Sequence, residues 1–174
     1  MRVRWQPLAE WAGFQVVWFV CALGAAQGRN LPGAVAATLF IGAVLATTRS
    51  PAREGIAILS SGVVGLIAES ALVATEFVRF AAPWPSQSLA PAWIVALWLA
   101  FGATLSAMAS LLGRSFFVKA SITGFLAGPL AYWGGERLGA LAIVAAAPLA
   151  YLTIGLIWAV ALPALLLFRL RVLR

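Results

Sequence analysis

The chain has 174 residues, of which 63% are apolar and only 10% charged. A water-soluble domain carries about 25% charged residues, so this composition belongs in a bilayer. There is no His and no Asp, and Cys21 stands alone, which excludes zinc sites, His-based general bases, Ser-His-Asp triads and an internal disulfide; no metal and no cofactor is expected.

A hydrocarbon core of about 30 Å takes roughly 20 helical residues. Apolar runs between charges or Pro and Gly breaks predict six spans, at about 11–28, 31–48, 56–77, 91–112, 116–133 and 147–168. The first follows Arg2 and Arg4 and reads as a span rather than a cleaved leader; it carries Gln15, Gln27 and a Gly24-x3-Gly28 face. The third holds Glu69, and at 100° per residue Gly62, Gly65, Glu69 and Glu76 fall on one stripe. A short connection follows, kinked by Pro83-Trp84-Pro85 and placed against the membrane.

The fourth span presents Trp98 and the small-residue face Gly102-x3-Ser106. The fifth presents Gly124-x3-Gly128, with Pro129 bending it, Lys119 snorkelling at its start and Tyr132 near its end. Such faces serve either close packing inside the bundle or contact with a second copy or a membrane-protein partner. Glu136 and Arg137 read as a solvated loop pair, 138–146 as a short interfacial segment, and the last span as carrying Tyr151 and a kink at Pro163.

Orientation follows the basic residues. With both termini cytoplasmic, Arg2, Arg4, Arg49, Arg53, Arg114, Lys119, Arg169, Arg171 and Arg174 lie inside, nine residues against Arg29, Arg79 and Arg137 outside. The expected fold is therefore an all-α integral membrane protein, a single transmembrane domain over 1–174 built as a six-helix transmembrane bundle in a bacterial inner membrane. The net charge of +7 faces anionic lipid, and no nucleic-acid partner is expected, because GxGxxG, GxxxxGK[ST] and aromatic-interleaved basic arms are missing.

Glu69 asks for a function. A charge near the bilayer centre costs about 2.5–3.5 kcal/mol on insertion scales, so it must face protein. At 1.5 Å per residue from Ile56 it lies roughly 20 Å along its span, at the depth expected for Gln27, Trp98, Tyr132 and Tyr151. These five residues form the candidate ligand-binding or proton-accepting group. A carboxyl held only for packing specificity is the structural alternative.

Several stretches resemble a known family. Phe14-Gln15-Val-Val-Trp18-Phe19-Val-Cys21-Ala-Leu-Gly24-Ala25-Ala26, Ser50-Pro51-Ala-Arg53-Glu54, the Trp93 to Leu105 segment with Ala-Leu-Trp98-Leu-Ala-Phe101, and Ala127-Gly128-Pro129-Leu130-Ala-Tyr132 are together similar to the bacterial membrane proteins of domain-of-unknown-function family 2878. The resemblance spans about 12–168. It implies a small polytopic membrane protein, an acidic residue at the place of Glu69, and an Asn-His pair where this chain has Ser106-Ala107.

The function expected is non-enzymatic: binding or passage of a small or lipidic molecule, with membrane lipids as partners, or an accessory role in a membrane assembly. The alternative is a component resembling the substrate-binding subunit of an energy-coupling-factor vitamin transporter, which would also use an outer cavity and small-residue faces.

Overall fold

Proline opens three helices of the chain, because its fixed φ and missing N–H suit a first helical turn. In the computed structural model, which describes residues 5–112 and 116–171, Pro7, Pro32 and Pro51 stand at the starts of α1 (Gln6–Ala26), α2 (Leu31–Thr47) and α3 (Pro51–Ala74). Helices α1 and α3 thus begin about a turn and a half before the apolar runs do. Of the nine basic residues assigned to the inside, Arg2, Arg4, Arg114 and Arg174 lie outside the described residues.

Gly28 ends α1. Its φ of +73° is a left-handed conformation that favours glycine, and the Gly28 and Arg29 amides donate to the carbonyls of Ala25 and Gly24. A Cβ at Gly28 would meet nothing within 4 Å, so Gly28 terminates the helix instead of packing it. Glu76 also leaves the stripe expected of it: α3 stops at Ala74, Glu76 turns with φ +57°, and its side chain is exposed.

The fourth apolar run is two helices, α4 (Ala92–Ala103) and α5 (Leu105–Leu112), meeting at 47°. Thr104 sits at the break, with its hydroxyl donating 2.7 Å back to the Phe101 carbonyl. Next come α6 (Phe116–Arg137), helical through Pro129, and α7 (Ala147–Arg171), helical through Pro163. Pro129 takes the N–H that would bond the Phe125 carbonyl. Gly155 lets α7 approach there, since a Cβ on it would lie 3.1 Å from that oxygen.

The segment expected to be interfacial, 138–146, contains instead a strand. β2 (Leu141–Ile143) pairs antiparallel with β1 (Val78–Phe80), with Val78 opposite Ile143, Arg79 opposite Ala142 and Phe80 opposite Leu141. The physical reason is hydrogen bonding at a membrane boundary: two non-helical connections satisfy their backbone groups on each other. Val78 and Phe80 face the core while Arg79 points out, the period of two that a half-buried strand requires.

Most of the described residues are helical. α1, α3 and α7 are long and apolar enough to cross a membrane, and the bent α4–α5 pair makes a fourth candidate if it is one span. Phe19, Leu39, Leu59, Ile67, Leu126, Leu130 and Val160 are exposed on these and neighbouring helices. So much outward apolar surface is what a lipid-facing protein shows. Small residues bring the helices together inside: α3 packs on α4, α7 on α6, and α1 on α2, α4 and α5. A Cβ at Gly102 would lie 2.8 Å from the Ile58 Cα, and one at Gly124 would lie 2.3 Å from the Trp158 carbonyl oxygen. These two small-residue faces are covered by the chain itself. Gly24 faces its own loop, 3.1 Å from the Arg29 carbonyl by the same construction. No comparably close packing joins α1 to α6.

Candidate functional site

Two glycines, each one turn before a polar residue, position the site. On α3, Gly65 precedes Glu69; a Cβ at Gly65 would stand 2.1 Å from the Trp98 ring, so the indole lies across the bare backbone. From there its Nε1 donates 2.7 Å to Oε1 of Glu69. On α6, Gly128 precedes Tyr132; a Cβ at Gly128 would stand 2.5 Å from Trp158 Cδ1. The Tyr132 hydroxyl lies 2.5 Å from Oε2 of Glu69. The two seated indoles, Trp98 and Trp158, stack with centroids 4.4 Å apart and planes 18° from parallel. Phe101 meets both edge-on, and such aromatic contacts contribute about 0.5–1.5 kcal/mol each beyond burial.

Glu69 is 1% exposed, yet it reaches a cavity. The cavity, about 370 Å³, runs between α1, the α4–α5 pair, α6 and α7, and Ala140 and Leu141 of the ribbon region reach its edge. Its walls are apolar and aromatic, including Phe14, Trp18, Trp93 and Met108; Glu69, Tyr132, Gln15 and Thr123 add the polar groups. The size is within the roughly 300–1,000 Å³ of small-molecule sites. The opening lies along the gap between α1 and α6. Trp11 and Phe19 on one side and Leu130 on the other line the cavity and are also exposed at the molecular surface. Trp18 spans the gap near the ribbon, its ring 3.2 Å from where a Cβ on Gly134 would be.

Of the five residues expected at the site, Glu69, Trp98 and Tyr132 meet directly. Tyr151 and Gln27 do not join them. The Tyr151 hydroxyl donates 3.0 Å to Oε2 of Glu136, whose other oxygen accepts the Ile143 amide at 3.0 Å. Glu136 thus ties α6 to β2 and α7 instead of forming a loop pair with Arg137, whose guanidinium lies 5.6 Å from the Trp133 ring centre. Gln27 is the C-cap of α1 and is exposed.

A second buried polar cluster stands at the opposite end of α3. Glu54, 1% exposed in the first turn, accepts on Oε1 from Arg169 of α7 at 2.8 Å and from the Ser106 hydroxyl of α5. Arg169 also donates 2.6 Å to Ser106. Ser106, expected on a packing face, is a hydrogen-bonding residue that joins three helices. The sequence carried a signal for Glu54: fifteen residues before Glu69, it falls within about 60° of it on an α-helix. Trp158, the central ring of the site, carried none, being one apolar residue in a long apolar run.

These features define a helical protein with three or four helices long and apolar enough to cross a membrane, in which one of two deeply buried carboxyls, Glu69, borders an aromatic cavity. The model of a family of proteins of unknown function, DUF2878, matches residues 7–164, and the chain belongs to that family. No curated protein and no solved structure matches the chain.

Proposed function

We propose that the protein is a six-span bundle of the bacterial inner membrane, with both termini cytoplasmic, that binds a small apolar or lipidic molecule entering from the bilayer between α1 and α6. Binding, and not bond-making, is its work. The observation that carries this reading is the cavity: it is apolar, it opens along a helix gap whose lips are exposed Trp11, Phe19 and Leu130, and it has one carboxyl at its wall. A ligand dissolved in lipid reaches such an opening without crossing water. The paired hydrogen bonds from Trp98 and Tyr132 hold Glu69 in one orientation, which gives the pocket a fixed polar anchor.

The six spans follow if α2 and α6 cross alongside the longer helices. α2 has 17 residues, about 25 Å of helix. α6 has 22 residues, made less apolar by Lys119, Tyr132, Pro129 and its glycines. Tyr132 faces the cavity, Gly124 and Gly128 face α7, and Lys119 near the start of α6 donates to the Leu112 carbonyl, so lipid does not meet them all.

Native mass spectrometry of protein extracted with its lipids tests the binding reading. The expected spectrum shows a retained molecule in the wild type and none in Ala131→Trp, which fills the cavity from α6. A wild type that carries nothing, or equal retention in the filled variant, contradicts it.

A further inference from the structure

The hydrogen-bond donors around Glu69 suit one protonation state. An indole N–H only donates, so Oε1 of Glu69 is an acceptor at its 2.7 Å contact with Trp98. The Tyr132 hydroxyl has Glu69 Oε2 at 2.5 Å and no other acceptor among its hydrogen bonds in the described residues. A phenol with one acceptor in reach donates to it. Two donors facing two oxygens is the arrangement of a carboxylate.

A buried carboxyl without a compensating cation takes up a proton, so the ionised form that this geometry suits calls for a cation beside it. Among the described residues no Lys or Arg bonds Glu69; the buried pair of Glu54 with Arg169 stands at the other end of α3. What lines the cavity that the carboxyl reaches is rings. Phe14, Trp18, Trp93, Trp98, Phe101 and Trp158 line the same cavity. Aromatic faces attract a cation within about 6 Å, most strongly where water is excluded. An apolar chamber with electron-rich walls and one unpaired negative charge is complementary to a hydrophobic cation and hostile to an anion.

We infer that the molecule taken up through the α1–α6 gap is a lipophilic cation, an organic ammonium or phosphonium whose charge pairs with Glu69 and whose apolar groups lie against the indoles. This rests on the lateral-pocket reading above and adds the sign of the ligand's charge to it. The chemistry separates ligands of one shape: a delocalised cation is held by Coulomb attraction and ring faces together, whereas the matching anion meets the carboxylate and the negative ring faces.

Titration calorimetry of the full-length protein in neutral detergent, with tetraphenylphosphonium and its anionic isostere tetraphenylborate, tests the inference. The expected result is saturable binding of the phosphonium, with the borate at least tenfold weaker. Glu69→Gln, which keeps an acceptor for Trp98, raises the phosphonium Kd at least tenfold. Glu76→Gln, an exposed carboxyl at the end of α3, leaves it as in the wild type. The comparison of the two ions in wild-type protein stands even if Glu69→Gln does not fold. Equal binding of both ions, or an unchanged Kd in a folded Glu69→Gln variant, overturns the cation while leaving an uncharged pocket intact. No binding of the phosphonium overturns it too, and if the wild type also retains nothing in native mass spectrometry, the lateral pocket falls with it.

Discussion

At the scale of single residues, the account turns on hydrogen-bond satisfaction in places that water does not reach. Glu69→Leu strips the acceptors from the Trp98 N–H and the Tyr132 hydroxyl together. A buried donor left without a partner costs about 1–3 kcal/mol. Glu69→Leu is therefore expected to lower the detergent melting temperature clearly, and Glu69→Gln to lower it much less; equal losses would show that the two hydrogen bonds do not stabilise the fold. Glu54 responds differently because its partner is a charge. Arg169→Met leaves Glu54 buried and unpaired, a change worth about 3–5 kcal/mol in buried pairs, and adding Glu54→Gln to it should recover much of that loss. Denaturation of the single and double variants reads this directly, and a double variant no better than Arg169→Met would contradict the pairing. Glu69 was legible in the sequence because it is a charge in the middle of an apolar run. Glu54 was marked only by its place on the face of Glu69, because next to Arg53 and Pro51 a solvated helix start is the ordinary reading, and its partner Arg169 lies far along the chain.

At the scale of elements, glycine decides which helices touch. Gly128 admits Trp158 to α6, and Gly65 admits Trp98 to α3, so the stacked indole pair depends on both. Gly128→Ala, with its new methyl 2.5 Å from the Trp158 ring, should be destabilising by about 1–3 kcal/mol, the usual range for overpacking. Gly42→Ala, where a Cβ meets nothing within 4 Å, should be neutral or slightly stabilising. Thermal unfolding of the two variants in one detergent checks this, and similar melting temperatures would contradict the contact. The spacing of small residues marked the Gly124 and Gly128 face in advance. It could not separate Gly28, whose positive φ closes α1, because a terminator and a packing residue look alike in a Gly-x3-Gly pattern. The break at Thr104 and the β1–β2 ribbon were also hidden. Neither interrupts apolarity; one is a local hydroxyl-to-carbonyl bond, and the other depends on two connections more than sixty residues apart.

At the scale of the whole molecule, apolar length and composition carried the helical character and the candidate spans, since both are sums over many residues. A small cavity beside Glu69 was expected from the buried carboxyl, but its side opening was not legible, because it depends on α1 and α6 standing apart, and a gap between two helices has no local signature. The proposed topology predicts an active alkaline phosphatase fused after Ser86, in the connection between β1 and α4, and an inactive one fused after Arg174. The reverse at either site removes the six-span arrangement with cytoplasmic termini. The lateral opening is tested most directly by closing it. With Cys21→Ser in place, cysteines at Trp18 and Gly134, which face each other across the gap, are joined by a cleavable bismaleimide, and exchange of the retained molecule against a deuterated membrane extract is followed by native mass spectrometry. Exchange should stop when the linker is in place and resume when it is cut; exchange at an unchanged rate through the linked gap would contradict entry between α1 and α6.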